Sequence, residues 1–157
     1  MPELEATLYD ASRLFLVPVM VLILLALAYA IVSLGSFAFE AAVRGTGRGS
    51  RPLHAYRART GGASEDLELQ IMRRLEWLRI VSRSAPMLGL VATMIPMGPA
   101  LLALGNNDGA AVGKNLVVAF SSVILALVAA SISFFVYTIR RRWLLEELRE
   151  LETEGAA

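Results

Sequence analysis

The side chains best placed to do chemistry inside this chain are three hydroxyls, Thr93, Ser121 and Ser122. The apolar segments that carry them contain no Asp, Glu, Lys, Arg or His. A hydroxyl donates and accepts hydrogen bonds but does not titrate near neutral pH. Ion or proton relay across a membrane needs a titratable group or a chain of water. These residues can therefore form a polar sleeve around an ion carrier, but cannot themselves be the carrier. The other chemistries find little support. There is no cysteine, and the single histidine, His54, has no second ligand candidate beside it, so it reads as an ordinary loop residue. No metal or cofactor is expected. A membrane enzyme would need acids or histidines converging near the membrane surface, whereas Glu40 and His54 are isolated in the sequence, so the chain is not expected to be an enzyme. The formal net charge of +1 supplies no global field for nucleic acid.

Three long apolar runs position the hydroxyls: Leu14–Phe39, Ala85–Gly105 and Leu116–Ile139. A helix needs about 20 apolar residues to cross a hydrocarbon layer, and each run meets that length. In lipid every backbone amide must be paired within the protein, so the runs are expected to be helices rather than strands. The expected fold class is an all-α membrane protein with three transmembrane helices.

The basic residues set the orientation. Nine arginines fall between residues 41 and 84 and four more follow the third run (Arg140, Arg141, Arg142 and Arg149), leaving only Arg13 and Lys114 elsewhere. Positive charge is retained on the cytoplasmic side. The reading is N-out and C-in: residues 1–13 outside, 14–39 the first span, 40–84 cytoplasmic, 85–105 the second span, 106–115 outside, 116–139 the third span and 140–157 a cytoplasmic tail. Arg140, Arg141 and Arg142 act as topology anchors. A cleaved signal peptide is the competing reading of the first run, since Ala28-Tyr29-Ala30 fits a cleavage site. The preceding segment, with Glu3, Glu5 and Asp10 against Arg13 alone, lacks the basic start of a signal. A permanent anchor is the better reading.

Outside the spans, Val43–Gly62 is rich in Gly and Arg and reads as a loop. Ser64 then offers an N-cap, with Glu65 and Asp66 in the first turn. Leu67, Ile71, Met72, Leu75 and Leu78 make a helical stripe that continues to Pro86, where a bend can open the second span. Leu144, Leu145, Leu148 and Leu151 form a similar stripe in the tail. The simplest arrangement packs the two stripes together and extends the bundle into the cytoplasm; lying flat on the membrane is the alternative. The arginine excess there also suits lipid headgroups.

The second and third runs differ from the first in carrying small residues at helical spacing. The second has Gly89, Thr93, Pro96 and Ala100; the third has Ala119, Ser122, Ala126, Ala130 and Ser133, with Ser121 beside them. Small residues on one face allow close helix approach, and hydroxyls there bond across the interface or to water. Gly89, Pro96, Ala126, Ala130 and Ser133 are read as packing positions. For Thr93, Ser121 and Ser122, plain packing and lining an ion path remain balanced on the residues alone.

Residues 85–93, Ala85-Pro86-Met87-Leu88-Gly89-Leu90-Val91-Ala92-Thr93, resemble the "APLLGLLGT" signature of the MotA/TolQ/ExbB proton-channel family. The third run, with Ala119-Phe120-Ser121-Ser122 and Leu127-Val128-Ala129-Ala130, is similar to that family's hydroxyl-bearing segment. Ile95-Pro96-Met97-Gly98-Pro99-Ala100-Leu101 resembles short archaeal-type members. The likeness covers about residues 84–143. It departs from the family pattern in three ways: Ala92 replaces a glycine, serines stand where threonine is usual, and the outer part of the third run has no acid.

The resemblance implies a subunit of an ion-driven motor channel, a proton channel by family, in the inner membrane of a prokaryote. It implies a ring-forming homopentamer around the transmembrane helices of a single-span partner like ExbD, TolR or MotB. That partner would supply a membrane Asp, with Thr93 and either Ser121 or Ser122 lining the space around it. The reading of a different class is a non-conducting oligomeric scaffold whose small-residue stripes only drive assembly.

Overall fold

The computed structural model describes residues 2–45, 53 and 64–156. It is a bundle of three long helices: α1 (Pro2–Gly45), α2 (Ser64–Gly105) and α3 (Gly109–Ala156). All three are long and apolar enough to cross a membrane. His54 and the rest of the expected loop, Leu53 apart, lie outside the described residues.

Each helix outruns its apolar run. α2 starts at Ser64 as expected, and it is continuous through Pro86, Pro96 and Pro99. Each proline removes one backbone donor and crowds the carbonyl four residues earlier. Such sites are tolerated in apolar helices where neighbouring groups satisfy the freed carbonyls. α1 likewise passes through Pro18.

The segment expected to be a loop, residues 106–115, is mostly helix. Only Asn106–Asp108 separates α2 from α3. Asn107 takes a left-handed φ of 56°. Its N–H donates to the Leu104 carbonyl at 3.1 Å, and the Asp108 N–H to the Ala103 carbonyl at 2.9 Å. This paired capping closes the end of α2. Asp108 then starts α3, its Oδ1 accepting from the Ala111 N–H at 3.0 Å. One aspartate thus ends one helix and caps the next, which is why so short a turn suffices.

α2 and α3 pack most closely, and α1 lies against both, chiefly against α3. Val19, Ile23, Ala30, Ser33 and Phe37 are the buried face of α1, spaced at helical intervals. Most of its other apolar residues, such as Leu14, Phe15, Val17 and Val32, are exposed. A helix apolar on all sides with one narrow packed face suits a lipid-facing position.

The two amphipathic extensions do pack on each other. Ile71, Leu75 and Leu78 of α2 form one cluster with Leu144, Leu148 and Leu151 of α3, joined by Phe37, Leu53 and Val136. Two described members of the expected stripes are not in it: Met72 and Leu145 are exposed, while the side chain of Leu67 lies outside the described residues. Each lies one residue from a buried position, about 100° round the helix, which turns it away from the seam.

Candidate functional site

The seam between α2 and α3 is built from residues without bulk. Ala85, Gly89, Ala92, Pro96 and Ala100 are buried on α2; Ala119, Ser122, Ala126, Ala129, Ala130 and Ser133 are buried on α3. The tightest point is Gly89. A Cβ there would lie 2.8 Å from the Ala126 Cβ and 3.4 Å from a Val123 methyl. No real side-chain contact is that short, so glycine is needed for the approach. Gly89, Pro96, Ala126, Ala130 and Ser133 therefore lie in contact regions between helices of one protomer. Ser133 is fully buried and its Oγ has no hydrogen-bond partner among the described residues.

The three hydroxyls singled out in the sequence separate into two environments. Thr93 sits at the margin of the seam, half-buried, its Oγ1 donating to the Leu90 carbonyl at 2.7 Å. The buried position of that turn is Ala92. Ser121 is exposed on the open side of α3. Ser122 is only 2% exposed; its Oγ donates to the Val118 carbonyl at 2.6 Å and lies 3.1 Å from the Met20 sulfur of α1. Consecutive residues on a helix point about 100° apart, so one serine meets α1 while its neighbour faces outward. Thr93 and Ser121 are thus the hydroxyls open to whatever adjoins the protomer.

Two further exposed hydroxyls lie on α3, about 80–100° round the helix from Ser121. Ser131 and Thr138 stand seven residues apart, two helical turns, among the exposed residues Phe134 and Phe135. Their interval is the signal that could have found them. Around them the outer surface is apolar, with Phe120, Ile124, Leu127 and Val128 exposed. Among the described residues there is no group of three or more His, Cys, Asp or Glu that could hold a metal.

Charge collects where the apolar parts of the helices end. Glu40, isolated in the sequence, is not isolated in the fold. It pairs with Arg44 at 3.5 Å and, across the bundle, with Arg140 at 3.4 Å. Arg140 also donates to the Ser36 hydroxyl at 3.0 Å. Arg44 lies 4.5 Å from the centre of the Trp143 ring, which stacks on Phe37 at 5.2 Å. Of the other anchors, Arg142 pairs with Glu146 at 2.9 Å and Arg141 is exposed. Deeper in the extension, buried Glu147 accepts a hydrogen bond from the Leu53 amide at 2.9 Å. Contacts such as Glu40 to Arg140 join residues a hundred positions apart, and only the α1–α3 crossing reveals them.

Neither curated proteins nor solved structures yield a match to the chain. The profile of the MotA/TolQ/ExbB proton channel family matches residues 38–153, from the end of α1 through α2 and most of α3. That span holds Thr93, Ser121 and the whole α2–α3 seam, and on this match the chain belongs to the MotA/TolQ/ExbB proton channel family.

Proposed function

We propose that five copies of this chain form a collar around the transmembrane helices of a single-span partner of the ExbD, TolR or MotB kind. Ion flow, of protons by family, moves the partner against the ring and so converts the membrane gradient into mechanical work. The chain sits in the inner membrane with its N-terminus outside and its arginine-rich extension in the cytoplasm. One observation carries this reading: a family match covering α2 and α3 coincides with apolar runs that hold no acid, amine or imidazole. A channel subunit of that composition needs its carrier from elsewhere. Each elementary charge crossing releases about 2.3 kcal/mol per 100 mV, and a membrane Asp on the partner is the group that would take up and release the ion.

In this arrangement Thr93 and Ser121 line the wet inner face. Ser122, held against Met20, keeps α1 on the bundle. Thr93→Val keeps the shape and removes the hydroxyl. It should abolish ion-coupled work by the assembled complex, and Ser121→Ala should weaken it, with the amount of complex unchanged. Ser122→Ala should instead lower the stability of the isolated chain and leave coupling intact. Wild-type coupling in Thr93→Val and Ser121→Ala together would remove the collar assignment.

The scaffold reading drew its support from the small-residue stripes. Gly89 and Ala126 meet within one protomer, so those stripes are already used to join α2 to α3. They are not left over to drive assembly between copies.

A further inference from the structure

At the basic end of the bundle, all three helices contribute to a cavity of about 210 Å³. Its charged lining is Arg44, Arg74 and Arg140 against Glu40 alone, three positive charges to one negative. Trp143 and two leucines supply the apolar wall. The guanidiniums are held in place before any ligand arrives. Arg44 is fixed over the Trp143 ring, and Arg140 is held by Ser36 and Glu40. Yet, among the described residues, the Nε–H groups of Arg44 and Arg140 are both buried without an acceptor. A buried donor without an acceptor is costly, and the three guanidiniums that line the cavity call for a ligand rich in acceptor oxygens. Arg74 adds a third guanidinium that makes no ion pair with the described residues.

Guanidinium forks match the oxygens of a phosphate group, two donors to two acceptors. The level of the cavity identifies which phosphate. Glu40 and Arg140 directly follow Phe39 and Ile139, the last residues of their apolar runs. Lipid phosphates lie at that boundary, and basic pockets between membrane helices take anionic headgroups. The volume is below that of a site for a whole drug-sized molecule, as suits a headgroup whose acyl chains stay in the bilayer. We propose that this cavity binds the phosphate headgroup of an anionic membrane lipid through Arg44, Arg74 and Arg140. Headgroup occupation offsets the excess positive charge of the cavity and clamps the end of α1 to α2 and α3.

The test uses the full chain in nanodiscs of mixed phosphatidylglycerol and phosphatidylcholine, with lipids retained after release counted by native mass spectrometry. The wild type should retain phosphatidylglycerol over phosphatidylcholine, and Arg74→Gln should lower that preference about tenfold, as loss of one charge-assisted guanidinium–phosphate contact implies. Arg74 makes no ion pair with the described residues, so this variant separates binding from folding. Arg44→Gln with Arg140→Gln should lower it further. Arg142→Gln removes equal charge outside the cavity and should leave it unchanged. An equal fall in Arg142→Gln, or no preference in the wild type, would overturn the site in favour of diffuse surface charge. If inorganic phosphate displaces the retained lipid, a soluble anion occupies the cavity and the lipid assignment fails.

Discussion

Replacing Gly89 with alanine should destabilise the bundle, and replacing Ala126 with glycine at the same time should restore it. The Cβ of Gly89→Ala would lie 2.8 Å from the Ala126 Cβ. Both atoms are fixed to their backbones, so neither can rotate away and α2 and α3 must move apart. Overpacking of this kind costs about 1–3 kcal/mol, while exchanging glycine for alanine in a helix returns about 1 kcal/mol. The net loss for Gly89→Ala is therefore about 1 kcal/mol. Ala126→Gly alone loses about 1 kcal/mol of helix propensity. In the double variant the close methyl pair is gone, the nearest remaining contact is the Val123 methyl at 3.4 Å, and the two propensity changes cancel. Its stability should return near wild type, a coupling of about 2 kcal/mol in the double-mutant cycle. Reversible unfolding of the purified chain in bicelles measures all four proteins. Additive losses, with the double variant the least stable, would refute the close approach at Gly89.

Leu78, 1% exposed in the cluster that joins the two extensions, should cost about 2–5 kcal/mol when changed to alanine. Hydrogen exchange should then rise in the Leu144–Leu151 stretch and stay unchanged around Gly89. Asp108→Ala removes the cap on α3 and should cost about 1 kcal/mol, whereas Asp108→Asn should retain most of the stability; thermal unfolding distinguishes them. Glu40→Gln leaves Arg44 and Arg140 facing each other without their shared carboxylate. It should cost at most about 1 kcal/mol, since the three groups are a quarter or so exposed. A loss well above that in chemical unfolding would show the link to be more deeply desolvated than its exposure indicates.

The three spans were legible because an apolar run without charge has few structures open to it. The pairing of the extensions was legible too, since each carried an apolar stripe with nothing else to cover it. The connection at residues 106–115 is shorter in the structure than its sequence suggests. Its polar residues suggest a loop, but Asp108 caps a helix whose first turns, Gly109-Ala110-Ala111-Val112, need no apolar face. The hydroxyls were identified as a group, yet periodicity alone could not say that Ala92 rather than Thr93 enters the seam, or that Ser121 and Ser122 part company. Which residue faces inward depends on the rotation of each helix about its axis, and that is set by the Gly89–Ala126 contact. The Glu40–Arg140 link and the Arg44–Trp143 stack were out of reach, because the sequence does not say which helix α1 crosses or at what height.

The central claim is that the group which carries the ion belongs to a second polypeptide. Reconstituting the purified chain in liposomes with and without its single-span partner, under an imposed proton gradient and potential, measures it directly through internal pH. Flux should appear only with the partner, and should vanish when the partner's membrane Asp is changed to Asn. Sustained, gradient-driven flux through the chain alone would contradict the account.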